Sequence, residues 1–360
     1  MSPITRRCFL AKASATLALT ASTGCAEDNA ASAGVSIVRT PHQGMVPAAA
    51  VDAAGALRVA YIQGQNLYFV ESRDRGVTFG EPVRVNDREG DAQGGLFRGG
   101  EMAIGADGVT HIVWYGGLWQ QSGDKSAQGA LYTRRLPGGR FEPSRNLGRE
   151  PSDGFSVSAG RSEVVLAWHN GEALKLLRSG DAGASFAAPS PLSGALPCEC
   201  CDTNLYVAKH GTLVLVYRDR AGDRRDMYLA TVERDGRARR VLLDSQSWII
   251  KACPLSSSGL AVAGDAATVA WERDGRVLLA RVGLSDAQRS GPLDVGGGKY
   301  PIVLRGSDSL LLAWSDGNRL VWQLRDATSL RMRKSGSARR DNPHRIAGVT
   351  FADGQYVLFA

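Results

Sequence analysis

The stretch LPCECCDTNLYV, beginning at Leu196, sets Cys198, Cys200 and Cys201 around one acid, Glu199, and a fourth cysteine, Cys253, follows in WIIKACP. Sulfur at this density can close disulfides, hold a soft metal or exchange electrons. As disulfides, Cys253 pairs with one of the three, because joining the adjacent Cys200 and Cys201 would strain the chain. As thiolates, with Met45 and Met102 nearby, the set suits Cu(I). The CxCC spacing departs from the CxxC of structural zinc sites, which weakens a zinc reading.

Other residues with chemical potential are scattered along the chain: Arg98, Trp119, Arg218, Trp248, Arg276 and Tyr300. Only a fold that gathers distant segments could make them one site. Short β-branched or aromatic runs recur as ALRVAYI from Ala56, VTHIVWY from Val109, EVVLAWH from Glu163, TLVLVYR from Thr212, ATVAWER from Ala267, LLLAWSD from Leu310 and QYVLFA from Gln355, with starts 43 to 55 residues apart. Turn signals such as Asp107-Gly108 precede them, and about three further strand-like runs surround each. A period near 50 with four short strands per unit predicts an all-β propeller.

Two units carry a sharper motif, ESRDRGVTFGEPVRV with Asp74, Gly76 and Phe79, and RSGDAGASFAAPSPL with Asp181, Gly183 and Phe186. The carboxylate can accept turn N–H bonds, the glycine can take positive φ, and the Phe can bury between sheets. Degenerate copies begin at Pro137 and Leu284. This S-x-D-x-G-x-[ST]-F pattern resembles the Asp-box, or BNR repeat, of the sialidase superfamily, and in that reading these residues are structural turn locks. The resemblance favours six blades, whereas the count of second-strand runs favours seven, with the segment SIVRT joining the C-terminal hairpin to close the ring.

Strand alternation sends the starts of first and third strands and the ends of second strands to one face. The cysteines, Arg98, Glu101, Met102, Trp248 and Tyr300 all fall there, and the loop from Tyr115 that carries Trp119 could cover a ligand. Sialidases use a tyrosine nucleophile, a glutamate that helps ionise it, an aspartate acid/base and three arginines on the sugar carboxylate. The resemblance therefore implies Tyr300 as nucleophile, Glu199 as its partner, and Arg218 and Arg276 as carboxylate anchors, with Arg98, Trp119 and Trp248 as substrate contacts. Met45-Val46-Pro47 stands where the first arginine belongs, and Gln63-Gly64-Gln65-Asn66 offers no acid/base carboxylate. Half the catalytic set is missing.

The opening residues carry Arg6-Arg7 ahead of a short apolar run, which resembles a twin-arginine export signal over residues 1–24. Residues 25–34 read as a linker and 35–360 as one propeller domain. Cys25 stands as a candidate lipidation site, the one route to a membrane. Removing Arg6, Arg7 and Lys12 leaves 40 basic against 36 acidic residues, a net charge of +4 that is too mild and dispersed for nucleic acid. The expectation is an exported, periplasmic or extracellular, monomeric propeller that binds or acts on carbohydrate and needs no cofactor. The alternatives are a periplasmic thiolate protein holding copper or a redox disulfide, and a non-catalytic interaction scaffold.

Overall fold

The computed structural model describes residues 34–360, apart from 96–97, 119–121, 124–127, 209–210 and 341–343. Trp119 and the export and lipidation signals thus lie outside the described residues. The described chain is a seven-bladed propeller, and six of its sheets are four-stranded meanders. Blade 1 comprises Met45–Val51, Leu57–Gln63, Asn66–Ser72 and Val83–Arg84, and blade 2 comprises Glu101–Ile104, Thr110–Tyr115, Ala130–Arg135 and Arg145–Asn146. Blade 3 holds Asp153–Ala159, Val164–His169, Leu174–Ser179 and Ser190–Pro191, and blade 4 holds Asn204–Val207, Leu213–Ala221, Arg224–Val232 and Ala238–Leu242. Blade 5 runs through Ser258–Ala263, Ala266–Arg273, Arg276–Gly283 and Arg289–Gly297, and blade 6 through Lys299–Arg305, Ser309–Asp316, Arg319–Asp326 and Met332–Arg339.

Blade 7 joins the two ends of the described chain. Its inner hairpin is Ala347–Thr350 with Tyr356–Phe359, and Val35–Val38 adds to it in parallel, pairing Val35 with Tyr356 and Val38 with Phe359. Seven second strands therefore make seven blades, as the run count predicts, and the six-blade expectation does not hold.

The recurrent runs have a common packing role. Tyr61, Trp114, Trp168, Tyr217, Trp271, Trp314 and Phe359 occupy matching places near the ends of the second strands, and none is more than 2% exposed. Such rings bury about 150–250 Å² each, so one per blade dominates the contacts between sheets. The indoles also tie their blades to the preceding connection: Trp114 Nε1 donates to Asp91 O (2.7 Å), Trp271 Nε1 to Asp244 Oδ1 (2.9 Å) and Trp314 Nε1 to Gly297 O (2.7 Å).

The two S-x-D-x-G-x-[ST]-F turns join third to fourth strands on the face away from the cysteines. Asp74 Oδ1 accepts from the Ser72 hydroxyl (2.8 Å) and the Thr78 amide (2.9 Å), and Asp181 Oδ1 accepts equivalently from Ser179 (2.7 Å) and Ser185 (2.9 Å). Gly183 has φ +76°, and a Cβ there would lie 2.0 Å from Tyr132 Oη, so the turn admits only glycine. Phe186 then stands edge-on to Tyr132 of the preceding blade, with ring centroids 5.0 Å apart. Blade 6 has an equivalent lock without the motif, since Asp326 Oδ1 accepts from the Thr328 and Ser329 amides.

Candidate functional site at the funnel mouth

At the opposite face, the first strands open on a mouth built from single residues at their starts. Val46, Gly154 and Tyr300 are the second residues of the first strands of blades 1, 3 and 6; all have positive φ, at +49°, +63° and +55°. Each sits in a break in strand register. A β-branched or bulky residue in this region is costly, and such breaks re-aim side chains. The mouth is where the fold departs from regular pairing.

Three groups of residues share it. The first lines a pocket of about 210 Å³ formed by Gln93, Arg98, Tyr115, Asp153, Asn170 and Glu199. Arg98 Nε donates to Asp153 Oδ2 (2.7 Å), and Arg220 holds the half-exposed Glu199 at 3.1 Å. Acceptors, donors and one aromatic ring converge from blades 2, 3 and 4.

The second group lies on the axis, in a cavity of about 230 Å³ lined in part by Glu101, Asp202 and Arg345. Arg345 pairs closely with Glu101 and lies 3.4 Å from Asp202. One guanidinium therefore serves two acids in a buried place. Burial pushes the Asp202 carboxyl up to about 8 despite Arg345, with the charges of Glu101 and Asp153 adding to the effect. The shift favours the neutral acid at this buried position.

The third group is the cysteine cluster. The second strand of blade 4 runs to Ala221, three residues past Arg218, so the hairpin projects beyond the other blades as a two-stranded arm. Cys198 N donates to Arg218 O (2.8 Å) on one side of this arm, and Arg225 N donates to Trp248 O (2.8 Å) on the other. The arm thereby delivers both cysteine-bearing loops to one place, and Cys200 is disulfide-bonded to Cys253. Cys198 and Cys201 are buried thiols. Cys198 Sγ lies 3.7 Å from Cys200 Sγ and accepts a hydrogen bond from Cys201 Sγ at 3.4 Å. That bond, the Cys200 amide and the charges of Arg218 and Arg225 bring the Cys198 thiol down to about 7 against its burial. Burial pushes Cys201 well up.

His169 links the cluster to the pocket. Its Nε2 faces Cys201 O at 2.8 Å, which makes Nε2 the protonated nitrogen, and burial lowers its pKa. Gly154 passes so close that a Cβ would meet His169 Nε2 at 2.3 Å and Cys201 O at 2.7 Å. Position 154 therefore requires glycine for space as well as for φ.

Several residues expected in a sialidase-like centre sit elsewhere. Arg218 is 2% exposed, donates to Arg225 O (2.9 Å) and stacks 4.9 Å over Trp248, so its fork faces carbonyls and an indole inside the arm. The strand continues to Ala221 and encloses Arg218, so the guanidinium is not free at the mouth as a carboxylate anchor would need to be. Trp248, 9% exposed, offers that stacked face to Arg218 and lines none of the mouth cavities. Arg276 does open the third strand of blade 5, but it is exposed and bound to Asp294 in a two-pronged pair (2.8 and 3.0 Å). Tyr300 does start blade 6 near the axis. Burial, then the neighbouring Asp202 and Glu272, push its phenol upward.

Asp153, Asp202, Arg345, Gln93 and Asn170 are not in the sequence-derived set. Asp153, Asp202 and Arg345 stand at or just before the starts of first strands, the rule that locates Arg98 and Glu101, so that signal could have found them. A cleft of about 370 Å³ at the opposite end is lined by Arg58, Asp52, Glu71 and Arg135, which already pair with one another.

No protein-family model and no curated protein matches the chain. Among solved structures, Kuenenia stuttgartiensis hydrazine synthase aligns with 88% of this chain and 92% of its own at 12% identity, with a TM-score of 0.53. That is a likeness of fold alone. The NanB sialidase of Streptococcus pneumoniae aligns with 86% of this chain at 11% identity and a TM-score of 0.43, and this chain spans 64% of it. A subtype N10 neuraminidase-like protein of A/little yellow-shouldered bat/Guatemala/060/2010 aligns with 74% of this chain and 88% of its own at 9% identity, with a TM-score of 0.47.

Proposed function

We propose that this chain is an exported, sialidase-like propeller that binds a carbohydrate at its funnel mouth and lacks the covalent tyrosine chemistry of sialidases. The observation that carries the reading is the pocket of Gln93, Arg98, Tyr115, Asp153, Asn170 and Glu199. Sugar hydroxyls need closely spaced donors and acceptors beside an aromatic face, and this lining supplies both. Its 210 Å³ falls below the roughly 300–1,000 Å³ of drug-sized sites, so it suits one sugar ring.

The environment of Tyr300 argues for binding over turnover. A nucleophilic phenol must ionise, whereas burial and the acids Asp202 and Glu272 disfavour the phenolate. With Arg218 turned into the arm and Arg276 bound to Asp294, two of the expected carboxylate anchors are already engaged. Export fits the disulfide between Cys200 and Cys253, since such bonds persist in oxidising compartments.

The test is calorimetric titration of mono- and disaccharides, neutral and acidic, alongside a fluorogenic sialoside assay. Saturable binding that weakens about tenfold or more in Glu199→Gln and Gln93→Ala, without sialoside turnover, is the expected result; a charge-assisted hydrogen bond contributes roughly 1.5–3 kcal/mol. Sialoside hydrolysis abolished by Tyr300→Phe would replace this reading with true sialidase chemistry. Failure of every sugar to bind would end it.

A further inference from the structure

We propose that the four cysteines form an internal thiol–disulfide relay, in which the buried Cys198/Cys201 pair passes an electron pair to the Cys200–Cys253 disulfide and so presents a reducing dithiol at the surface. None of the four cysteines lines the sugar pocket, although His169 connects the two. Cys198 is the hub, with its sulfur 3.7 Å from Cys200 and 3.4 Å from Cys201. The other three cysteines differ in exposure: Cys200 and Cys201 are buried residues, whereas Cys253 is an exposed one. One end of the cluster is sealed and the other is open.

The chemistry balances without an outside reagent. The Cys198 thiolate attacks Cys200 Sγ, the Cys198–Cys200 bond forms, and the Cys200–Cys253 bond breaks to release Cys253 as thiolate. Cys201 then attacks Cys198 Sγ, which forms Cys198–Cys201 and releases Cys200; the proton of Cys201 passes to one of the released sulfurs. One dithiol and one disulfide have exchanged places. The exposed Cys253 can then attack an external disulfide, with Cys200 resolving the mixed species.

Two features favour the first step. Cys198 is the cluster's acidic thiol, at about 7, so its nucleophilic form is populated near neutral pH. The buried Arg218 guanidinium acts on both Cys198 and Cys201, and stabilises the thiolate where solvent cannot. Arg218 thus acquires a role that its enclosure denies it as a carboxylate anchor: it is a positioning residue for thiolate charge.

The probe is 5,5′-dithiobis(2-nitrobenzoate), used on the full chain with Cys8 and Cys25 replaced by Ser so that only the four cysteines report. Folded protein is expected to release two thionitrobenzoates per chain and to retain none, as Cys253 attacks the reagent and Cys200 resolves it. Cys201→Ser should release one and retain one on Cys253, because the second exchange is lost; the retained group is read by mass on tryptic peptide 252–273, which is separate from peptide 179–209 holding the other three. Cys198→Ala should release none while folded. Differential alkylation of the parent protein gives an independent readout, with Cys253 expected to be labelled under native conditions without added reductant. The proposal is overturned if the folded protein releases nothing until denatured and Cys253 stays unlabelled, or if Cys198→Ala reacts as fast as its parent.

Discussion

The two faces of the disc solve the same problem, the closing of turns between strands, in opposite ways. On one face each locked turn contains its own partners: Asp74 and Asp181 accept from hydroxyls and amides within four residues. On the other, partners come from distant blades, as when Arg345 serves Glu101 and Asp202 across separations of 244 and 143 residues. Local locks are satisfied as soon as a hairpin forms. At the mouth Arg98 takes its partner from the next blade, and the axial acids take theirs only once blade 7 is in place. The lesson is that a propeller can close one face with local locks and gather charge, thiols and strained backbone on the other, where partners come from different blades.

The comparison is broken most severely at the axis. Arg345→Met takes from Glu101 and Asp202 the guanidinium that pairs with both, and removing one member of a buried pair costs about 3–5 kcal/mol. Urea unfolding at pH 8 should register that loss, and the deficit should shrink at pH 5, where the acids can hold protons. Equal destabilisation at both pH values would mean that packing, not charge, is what Arg345 supplies.

A smaller effect is expected on the locked face. Asp74→Ala and Asp181→Ala should each lower the melting temperature by a few degrees, while sugar binding and thiol exchange remain at parent levels. Hydrogen bonds, first those from Thr78, hold the Asp74 carboxyl down at about 2. Its contribution is therefore present above the usual carboxylate pKa near 4 and is lost as pH falls through about 2. Acid titration monitored by circular dichroism should show the variant losing less stability than the parent over that range.

A third effect, read as a slope against pH, sharpens the contrast. With its carboxyl raised to about 8, Asp202 binds a proton in the folded state that the unfolded state has released, so stability falls as pH rises from about 4 towards 8. Arg345, Arg98, Glu101, Asp153 and Tyr300 share this field, and Asp202→Asn should make the slope shallower without removing it. An unchanged slope between pH 5 and 8 would mean that Asp202 is already ionised.

The architecture was legible because its signals repeat. Seven aromatic positions at near-regular intervals, and two motif turns, report the same blade many times over, and strand parity then brings Cys198, Cys200, Cys201 and Cys253 to one rim. The site was only partly legible because its signals occur once each. Nothing in the composition around Arg218 shows that its strand continues three residues past it, and that continuation decides whether the guanidinium faces a ligand or a carbonyl. Asp202 is adjacent to the cysteine motif yet draws its chemistry from Glu101 and Arg345, which only ring closure brings near. Arg276 shows the converse: its place on the third strand follows from sequence, but its pairing with Asp294 depends on an irregular fourth strand.

The seventh blade has a temporal consequence. Val35–Val38 has no sheet to join until Tyr356–Phe359 exists, so the earliest described strand waits for the latest. Pairing across more than 300 residues carries a large loop-closure cost and slows assembly. Until the hairpin of Ala347–Thr350 and Tyr356–Phe359 docks between blades 1 and 6, those blades present open flanks and the axial acids lack Arg345; Val35–Val38 then fastens the ring. The buried charge cluster on the axis should therefore assemble late, after most of the disc has already taken shape.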